Sequence, residues 1–167
     1  MFKSNKVLFT KNFLTYSECD KLIKLLNYKS FNRAHQFHYG RNNNEFFSSD
    51  PIIKKIIVDK INKFKLSRKS IKYFSPIFEF YHYGPGNFIS SHKDSPTKIN
   101  FFIKSNYTAI IYLNDDFVGG ETYFTELKLK IKPEKGGLLL FKHNIIHEAS
   151  KVFLGNKLIY RSNWLIK

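Results

Sequence analysis

The chain has 167 residues, of which 43% are hydrophobic and 17% aromatic, which suits one domain with a real core and excludes a disordered or low-complexity chain. No run of about 18 apolar residues is present to form a membrane-spanning helix, and the single cysteine, Cys19, excludes an internal disulfide. The net charge of +15 admits an acidic partner, nucleic acid included, and excludes nothing by itself.

The start, Met1-Phe2-Lys3-Ser4-Asn5-Lys6, shows no secretory pattern, so the expected location is a reducing cytoplasm. Thr15-Tyr16-Ser17-Glu18 reads as a capping box. The apolar residues Cys19, Leu22, Ile23, Leu25 and Leu26 then follow with helical spacing. Ser30 to Ser49 is polar and aromatic, with a turn signal at Asn42-Asn43-Asn44, and is expected to be a loop. Asp50-Pro51 opens a second helix, because proline suits the first helical position. Its stripe is Ile52, Ile53, Ile56, Ile57, Ile61 and Phe64.

From Ile71 onward short β-branched and aromatic runs alternate with Gly, Pro, Asn and Asp punctuation. The runs are Pro76–Tyr83, Tyr107–Leu113, Glu121–Phe124, Leu127–Ile131, Leu138–Phe141, Ala149–Val152 and Leu158–Leu165. Two helices followed by about seven or eight strands predict a mostly β, α+β chain: an antiparallel sandwich or jelly roll with helices on one face. A single domain is expected, with helical support over about 1–70 and a β core over about 71–167.

His92-Lys93-Asp94 follows a strand and a glycine-rich turn. In extended backbone, residues two apart point the same way, so His92 and Asp94 can face one cavity. His147 opens another short strand. Two imidazoles and one carboxylate on one face of a metal leave positions open, the facial set of non-haem Fe(II) oxygenases. Downstream, Lys157 and Arg161 share one face of an otherwise apolar strand. A buried cation without a counter-charge costs several kcal/mol. An anionic ligand such as a dicarboxylate would supply that charge, and so would pairing with Glu121 or Glu148.

Several further segments join this constellation. Tyr81-His82-Tyr83-Gly84-Pro85-Gly86 precedes His92-Lys93-Asp94, and Tyr112-Leu113-Asn114-Asp115-Asp116-Phe117-Val118-Gly119-Gly120-Glu121-Thr122 follows it. Pro133 to Gly137, Leu138 to Phe141, and His147-Glu148-Ala149 through Val152, Gly155 and Lys157 to Arg161 complete the pattern. From about Pro76 to Trp164 the chain resembles the prolyl-4-hydroxylase-like group of 2-oxoglutarate/Fe(II) dioxygenases. Asn12-Phe13-Leu14 and Gly40-Arg41-Asn42-Asn43 extend the likeness toward the N-terminus.

The resemblance implies a double-stranded β-helix that binds Fe(II) through His92, Asp94 and His147. It implies 2-oxoglutarate and O2 as cosubstrates, with ascorbate a candidate reductant. Lys157 matches the partner of the distal carboxylate of 2-oxoglutarate, and Tyr112 and Tyr83 match pocket tyrosines. Arg161 departs from the collagen-type members; it could share that carboxylate, contact substrate, or satisfy a core acid. Asp94 in place of a small residue argues for hydroxylation over halogenation.

The leading expectation is hydroxylation of a prolyl residue in a protein or peptide, with release of succinate and CO2. Oxidation of nucleic acid is the alternative, encouraged by the charge. Against it, Arg161 and Asn163 match only part of the demethylase pattern R-x-N-x-T-x-R. A non-catalytic binding module is a third reading, opposed by the intact ligand set. The positive charge is nearly all lysine, with arginine only at 33, 41, 68 and 161, and it accompanies residues with AT-rich codons. A solvated basic surface that follows genome bias, microbial or viral, therefore accounts for it better than a phosphate-reading face does, since phosphate readers cluster arginine with lysine; a viral source would mean a host cytoplasm. No pattern specifies an oligomer.

Among the remaining residues, His143 is expected at a rim or in a structural role, His82 packed on a strand, and His35 and His38 in a neutral loop. Cys19 and Trp164 are expected in the core. Ser30–Ser49 and Ser95–Asn106 are the candidate substrate lid, with Arg41 and Asn43 as first substrate contacts.

Overall fold

The computed structural model of the chain describes residues 2–3, 6–26, 31–34, 40–67 and 69–167; His35, His38 and Arg68 lie outside the described residues. Helix α1 (Tyr16–Leu25) begins at the predicted capping box. The Glu18 N–H donates to Thr15 Oγ1 at 3.2 Å, and the Thr15 N–H donates to Glu18 Oε2 at 2.8 Å. Helix α2 (Pro51–Lys63) begins at Asp50, whose Oδ1 accepts from the N–H groups of Ile52 and Ile53. These side chains satisfy donors that a helix N-terminus otherwise leaves without partners. The predicted α2 stripe narrows to Ile53, Ile57 and Ile61 as its buried line, while Ile52 is 46% exposed.

A major antiparallel sheet runs β1 (Phe2–Lys3), β2 (Val7–Thr10), β12 (Leu138–Lys142), β8 (Tyr107–Tyr112), β15 (Lys157–Ile166), β6 (Phe78–Tyr83), β4 (Asn44–Ser48) and β3 (Asn32–Arg33). Strand β5 (Ile71–Phe74) also pairs with β15. A second sheet runs β11 (Leu129–Ile131), β10 (Thr122–Phe124), β13 (His147–Ala149) and β7 (Ile89–His92). A small ribbon joins β9 (Val118–Gly119) to β14 (Val152–Leu154). This is the expected jelly roll with two supporting helices.

Alternation sorts the side chains of the major sheet into two cores. Phe78, Phe80, Ala109, Ile111, Leu138, Leu140, Leu158 and Tyr160 pack with the buried residues of α1 and α2. Tyr81, Tyr83, Ile110, Tyr112, Leu139, Phe141 and Ile159 pack on the opposite face with Ile89, Phe124 and Ile131 of the second sheet. Burial on both faces is why these strands read as continuous apolar runs. The functional face is the second one, between the sheets.

The structure corrects several boundaries. Ser30–Ser49 is not all loop: β4 pairs with β6 from Asn44↔His82 to Ser48↔Phe78, and Phe46 packs on the helix-side core. Val7–Thr10, too short an apolar patch to predict, is paired with β12, and Ile71–Phe74 pairs with β15. The run Ala149–Val152 is two strands, because the chain crosses to the ribbon at Ser150-Lys151. There the Ser150 N–H donates to the Glu121 carbonyl and the Gly120 N–H donates to the Lys151 carbonyl. Strand β6 starts at Phe78 and not at Pro76, since Pro76 has no N–H and the Ile77 N–H donates to Ser75 Oγ. Leu127 closes a 3-10 turn, and Lys128 at φ 49° turns the chain into β11.

Ile57 is fully buried between α2 and the sheet. Ile57→Ala should lower unfolding free energy by about 2–5 kcal/mol, whereas Ile52→Ala should change it by less than about 0.5 kcal/mol. Denaturant titration of both variants checks the assignment of the buried line.

Candidate metal centre and anion pocket

His92 ends β7 and His147 begins β13, and the two are register partners across the second sheet. Their rings lie 4.4 Å apart between centroids. Asp94 follows two residues beyond β7, with its N–H donating to the His143 carbonyl at 3.1 Å. His92 Nε2 lies 3.8 Å from Asp94 Oδ1, and His147 Nε2 lies 3.6 Å from Asp94 Oδ2. Among the described residues these three form a cluster able to hold a metal ion, with one ligand atom from each within 4.8 Å of the others. The sequence placed all three together, and the structure does the same.

Both imidazoles are fixed from behind in the same way. His92 Nδ1–H donates to the Ser90 carbonyl at 2.8 Å, and His147 Nδ1–H donates to the Ile145 carbonyl at 3.0 Å. A carbonyl can only accept, so each Nδ1 carries the proton and each Nε2 presents a lone pair toward Asp94. Phe141 packs edge-on against the His147 ring at 4.4 Å. Burial lowers the His147 pKa despite the facing carboxylate, which keeps the ring in the neutral, ligating form.

Burial alone would raise the Asp94 pKa; the charge of Arg161 and the hydrogen bond from the Thr108 hydroxyl outweigh it and hold the carboxyl well below the usual range. Thr108 Oγ1–H donates to Asp94 Oδ2 at 2.5 Å. His143 stands behind Thr108, with Nδ1 2.9 Å from Thr108 Oγ1 and Nε2 2.9 Å from Ser105 Oγ. It is a buried structural histidine, and desolvation brings its pKa down to about 4.

Lys157 opens β15 on the same face and is 1% exposed. Its Nζ donates to the Gly120 carbonyl at 2.6 Å and sits 4.7 Å from the Tyr83 ring centroid and 5.8 Å from that of Tyr112. No carboxylate forms an ion pair with it among the described residues, although Glu121 acts on it at longer range. Desolvation pushes its pKa down to about 7. Tyr112 Oη lies 2.8 Å from Thr122 Oγ1, and burial raises the pKa of both Tyr112 and Tyr83, so the phenols stay protonated donors. Lys157, Tyr83, Thr122 and the His–Asp–His set line one cavity between the sheets.

The other predicted residues have different partners. Arg161 pairs with two acids: Nη2 donates to Asp94 Oδ1 at 2.9 Å, and Nη1 lies 3.4 Å from Glu79 Oε2. Neither Glu121 nor Glu148 pairs with it; Glu148 accepts from the hydroxyls of Ser91 and Ser150. Arg41 and Asn43, expected on an exposed lid, are 6% and 0% exposed. Arg41 Nε–H donates to Asn43 Oδ1 at 2.9 Å, and its guanidinium lies 4.8 Å over the Tyr81 ring. They brace the β4–β6 edge from inside, because β4 turned the predicted loop into sheet. His82 faces away from the cavity, 3.0 Å from Asn156 Oδ1, and Trp164 is core.

Sequence reasoning missed Thr108 and Glu79. Each had a signal: a polar residue inside an apolar strand. Glu79 is also the register partner of Arg161.

The profile of the 2OG-Fe(II) oxygenase superfamily matches residues 78–165, just over half of the chain. The chain belongs to that superfamily. Among its relatives is the "Putative prolyl 4-hydroxylase" of Acanthamoeba polyphaga mimivirus, 26% identical over 152 residues. That alignment takes in 82% of this chain and only 60% of the relative's length. Solved structures of the same fold include a viral collagen prolyl hydroxylase of Paramecium bursaria Chlorella virus-1 in its 2OG complex. It superposes at a TM-score of 0.72 with 22% identity, covering 98% of this chain and 96% of that one. A Trichoplax adhaerens prolyl hydroxylase in complex with a hypoxia inducible factor peptide superposes at 0.74 with 18% identity, covering 97% and 84%. The chain therefore shares their jelly roll, and the donor set in its cavity fits the iron of the superfamily.

If these three side chains hold the metal, His92→Ala and Asp94→Ala should each abolish stoichiometric Mn(II) binding in calorimetry. His82→Ala, on the opposite face of β6, should leave it intact. Retained binding in either ligand variant would reject the triad.

Proposed function

We propose that the protein is an Fe(II)- and 2-oxoglutarate-dependent dioxygenase that hydroxylates a C–H bond of a prolyl residue in a protein or peptide. The observation that carries this reading is one cavity holding both a His–Asp–His donor set and a buried ammonium that no carboxylate pairs with among the described residues. Fe(II), when bound with 2-oxoglutarate and O2, supplies the redox chemistry that couples loss of CO2, leaving succinate, to hydroxylation.

The chain's own residues bind, orient and exclude water. His92, Asp94 and His147 would hold the iron and leave its remaining positions for cosubstrate. Lys157 takes the distal carboxylate of 2-oxoglutarate, and the Tyr112 and Tyr83 phenols frame it. The buried Tyr83 and Ile159 line the cavity with Lys157 and limit water there, which strengthens the charge pair. The prolyl substrate class is supported by the mimivirus relative and by the peptide complex of the Trichoplax enzyme. Ascorbate is the reductant to supply, and a reducing cytoplasm suits the chain, whose Cys19 is a buried thiol with its pKa raised to about 11 by desolvation.

Lys157 gives the reading a pH signature. Its pKa of about 7 in the protein alone rises when a carboxylate pairs with it, so binding above pH 7 takes up a proton. The affinity for 2-oxoglutarate should be full below about pH 7 and fall by up to about tenfold per pH unit above it. Calorimetry in buffers of different ionisation enthalpy measures the uptake; constant affinity from pH 7 to 9 would count against the role. Lys157→Ala should raise the KM for 2-oxoglutarate and leave Mn(II) binding unchanged.

The deciding experiment is succinate release over a library of proline-containing peptides, read by mass spectrometry for a gain of one oxygen. Stimulation by methylated oligonucleotides and by no peptide would overturn the prolyl assignment.

A further inference from the structure

Arg161 is a charged side chain inside the cavity that the proposed cosubstrate chemistry does not use. It stands four residues beyond Lys157 on β15 and on the same face. Lys157 makes no ion pair among the described residues, but Arg161 has two acids against its two terminal nitrogens. Nη2–H donates to Asp94 Oδ1 at 2.9 Å, and Nη1 lies 3.4 Å from Glu79 Oε2. Glu79 is itself held, since Tyr81 Oη–H donates to its other oxygen at 2.8 Å.

We infer that Arg161, backed by Glu79, is a positioning residue that fixes the Asp94 carboxylate for metal binding and is not a hook for 2-oxoglutarate. The inference rests on the reading of Asp94 as a metal ligand. Both oxygens of Asp94 are gripped by the protein itself, Oδ1 by Arg161 and Oδ2 by Thr108. Each oxygen carries two lone pairs, so one donor on each sets the plane of the carboxylate and still leaves a lone pair for a cation. The grip is cross-strand: Thr108 lies on β8, Arg161 on β15 and Glu79 on β6, three adjacent strands of the major sheet. Asp94 itself sits beyond the end of β7 on a connection with no ladder of its own, so the side-chain contacts supply the rigidity that a strand would give.

Charge repulsion does not cancel this benefit. A lone guanidinium next to a divalent cation would weaken binding, but Glu79 offsets that charge at the far side. What Arg161 adds is orientation, and orientation needs its planar fork. Lysine, a point donor on a flexible stem, cannot reach two acids from fixed nitrogens.

Arg161→Lys keeps the charge and removes the fork, so it isolates the effect. Outer partners of metal ligands are worth about 10–100-fold in affinity. Arg161→Lys should therefore weaken Mn(II) binding about tenfold in calorimetry. The dissociation constant of 2-oxoglutarate, measured at saturating Mn(II), should stay within about twofold. Glu79→Gln, which touches no metal ligand, should weaken Mn(II) in the same direction by less. Its effect should vanish in the Arg161→Lys background, because it acts through Arg161.

Unchanged Mn(II) affinity in Arg161→Lys, or a tenfold loss of 2-oxoglutarate affinity with metal binding intact, overturns the inference. The second outcome would make Arg161 a cosubstrate residue. Should Arg161→Lys fail to fold, Thr108→Val and Glu79→Gln carry the test: both unchanged in Mn(II) affinity also overturns it. Absence of Mn(II) binding by the unaltered protein would sink the metal-centre reading itself, and this inference with it.

Discussion

Asp94 is a negative charge taken out of water, and the arrangement of the cavity follows from how that charge is balanced. Desolvating a carboxylate is costly unless hydrogen bonds and opposite charge replace the lost water. Here the replacement comes from the Arg161 guanidinium and the Thr108 hydroxyl, while the two imidazoles face the carboxylate with lone pairs. The result is an ionised acid held at a fixed angle between two rings whose protons are committed to backbone carbonyls. Lys157 is the opposite case in the same cavity, a cation whose desolvation its own surroundings do not repay. One buried charge is satisfied by the fold and the other waits for an anion.

The jelly roll makes this possible by giving every reactive group a strand or a strand end to stand on. The register of β7 with β13 brings the two histidines together, and the central strands β8, β15 and β6 supply Thr108, Arg161, Lys157, Glu79 and the pocket tyrosines. The helices cover the opposite face of the major sheet and let that sheet be apolar on both sides.

Most of this was legible in the sequence wherever chemistry and periodicity agreed. The capping box of α1, the Asp50-Pro51 start of α2 and the apolar central strands all form where the residue patterns place them. His92, Asp94, His147 and Lys157 could be singled out because their types and order carry a known chemistry. The pairing of edge strands was not legible, since β4 reads Asn-Glu-Phe-Phe-Ser and owes its place to partners in β6. For the same reason Arg41 and Asn43 looked like surface residues. Their burial depends on a sheet edge that local sequence does not announce. Arg161 stood between three roles because its partners, Asp94 and Glu79, are 67 and 82 residues away along the chain.

Strict two-residue alternation along β15 carries an evolutionary consequence. A single-residue insertion or deletion before Lys157 would rotate the strand by half a turn relative to its neighbours. Leu158 and Tyr160 would then face the cavity, and both cations would be driven into the hydrocarbon beneath α1 and α2. Divergence among such chains should therefore collect length changes in the connections and leave the spacing from Lys157 to Arg161 untouched, whatever molecule the cavity has come to accept.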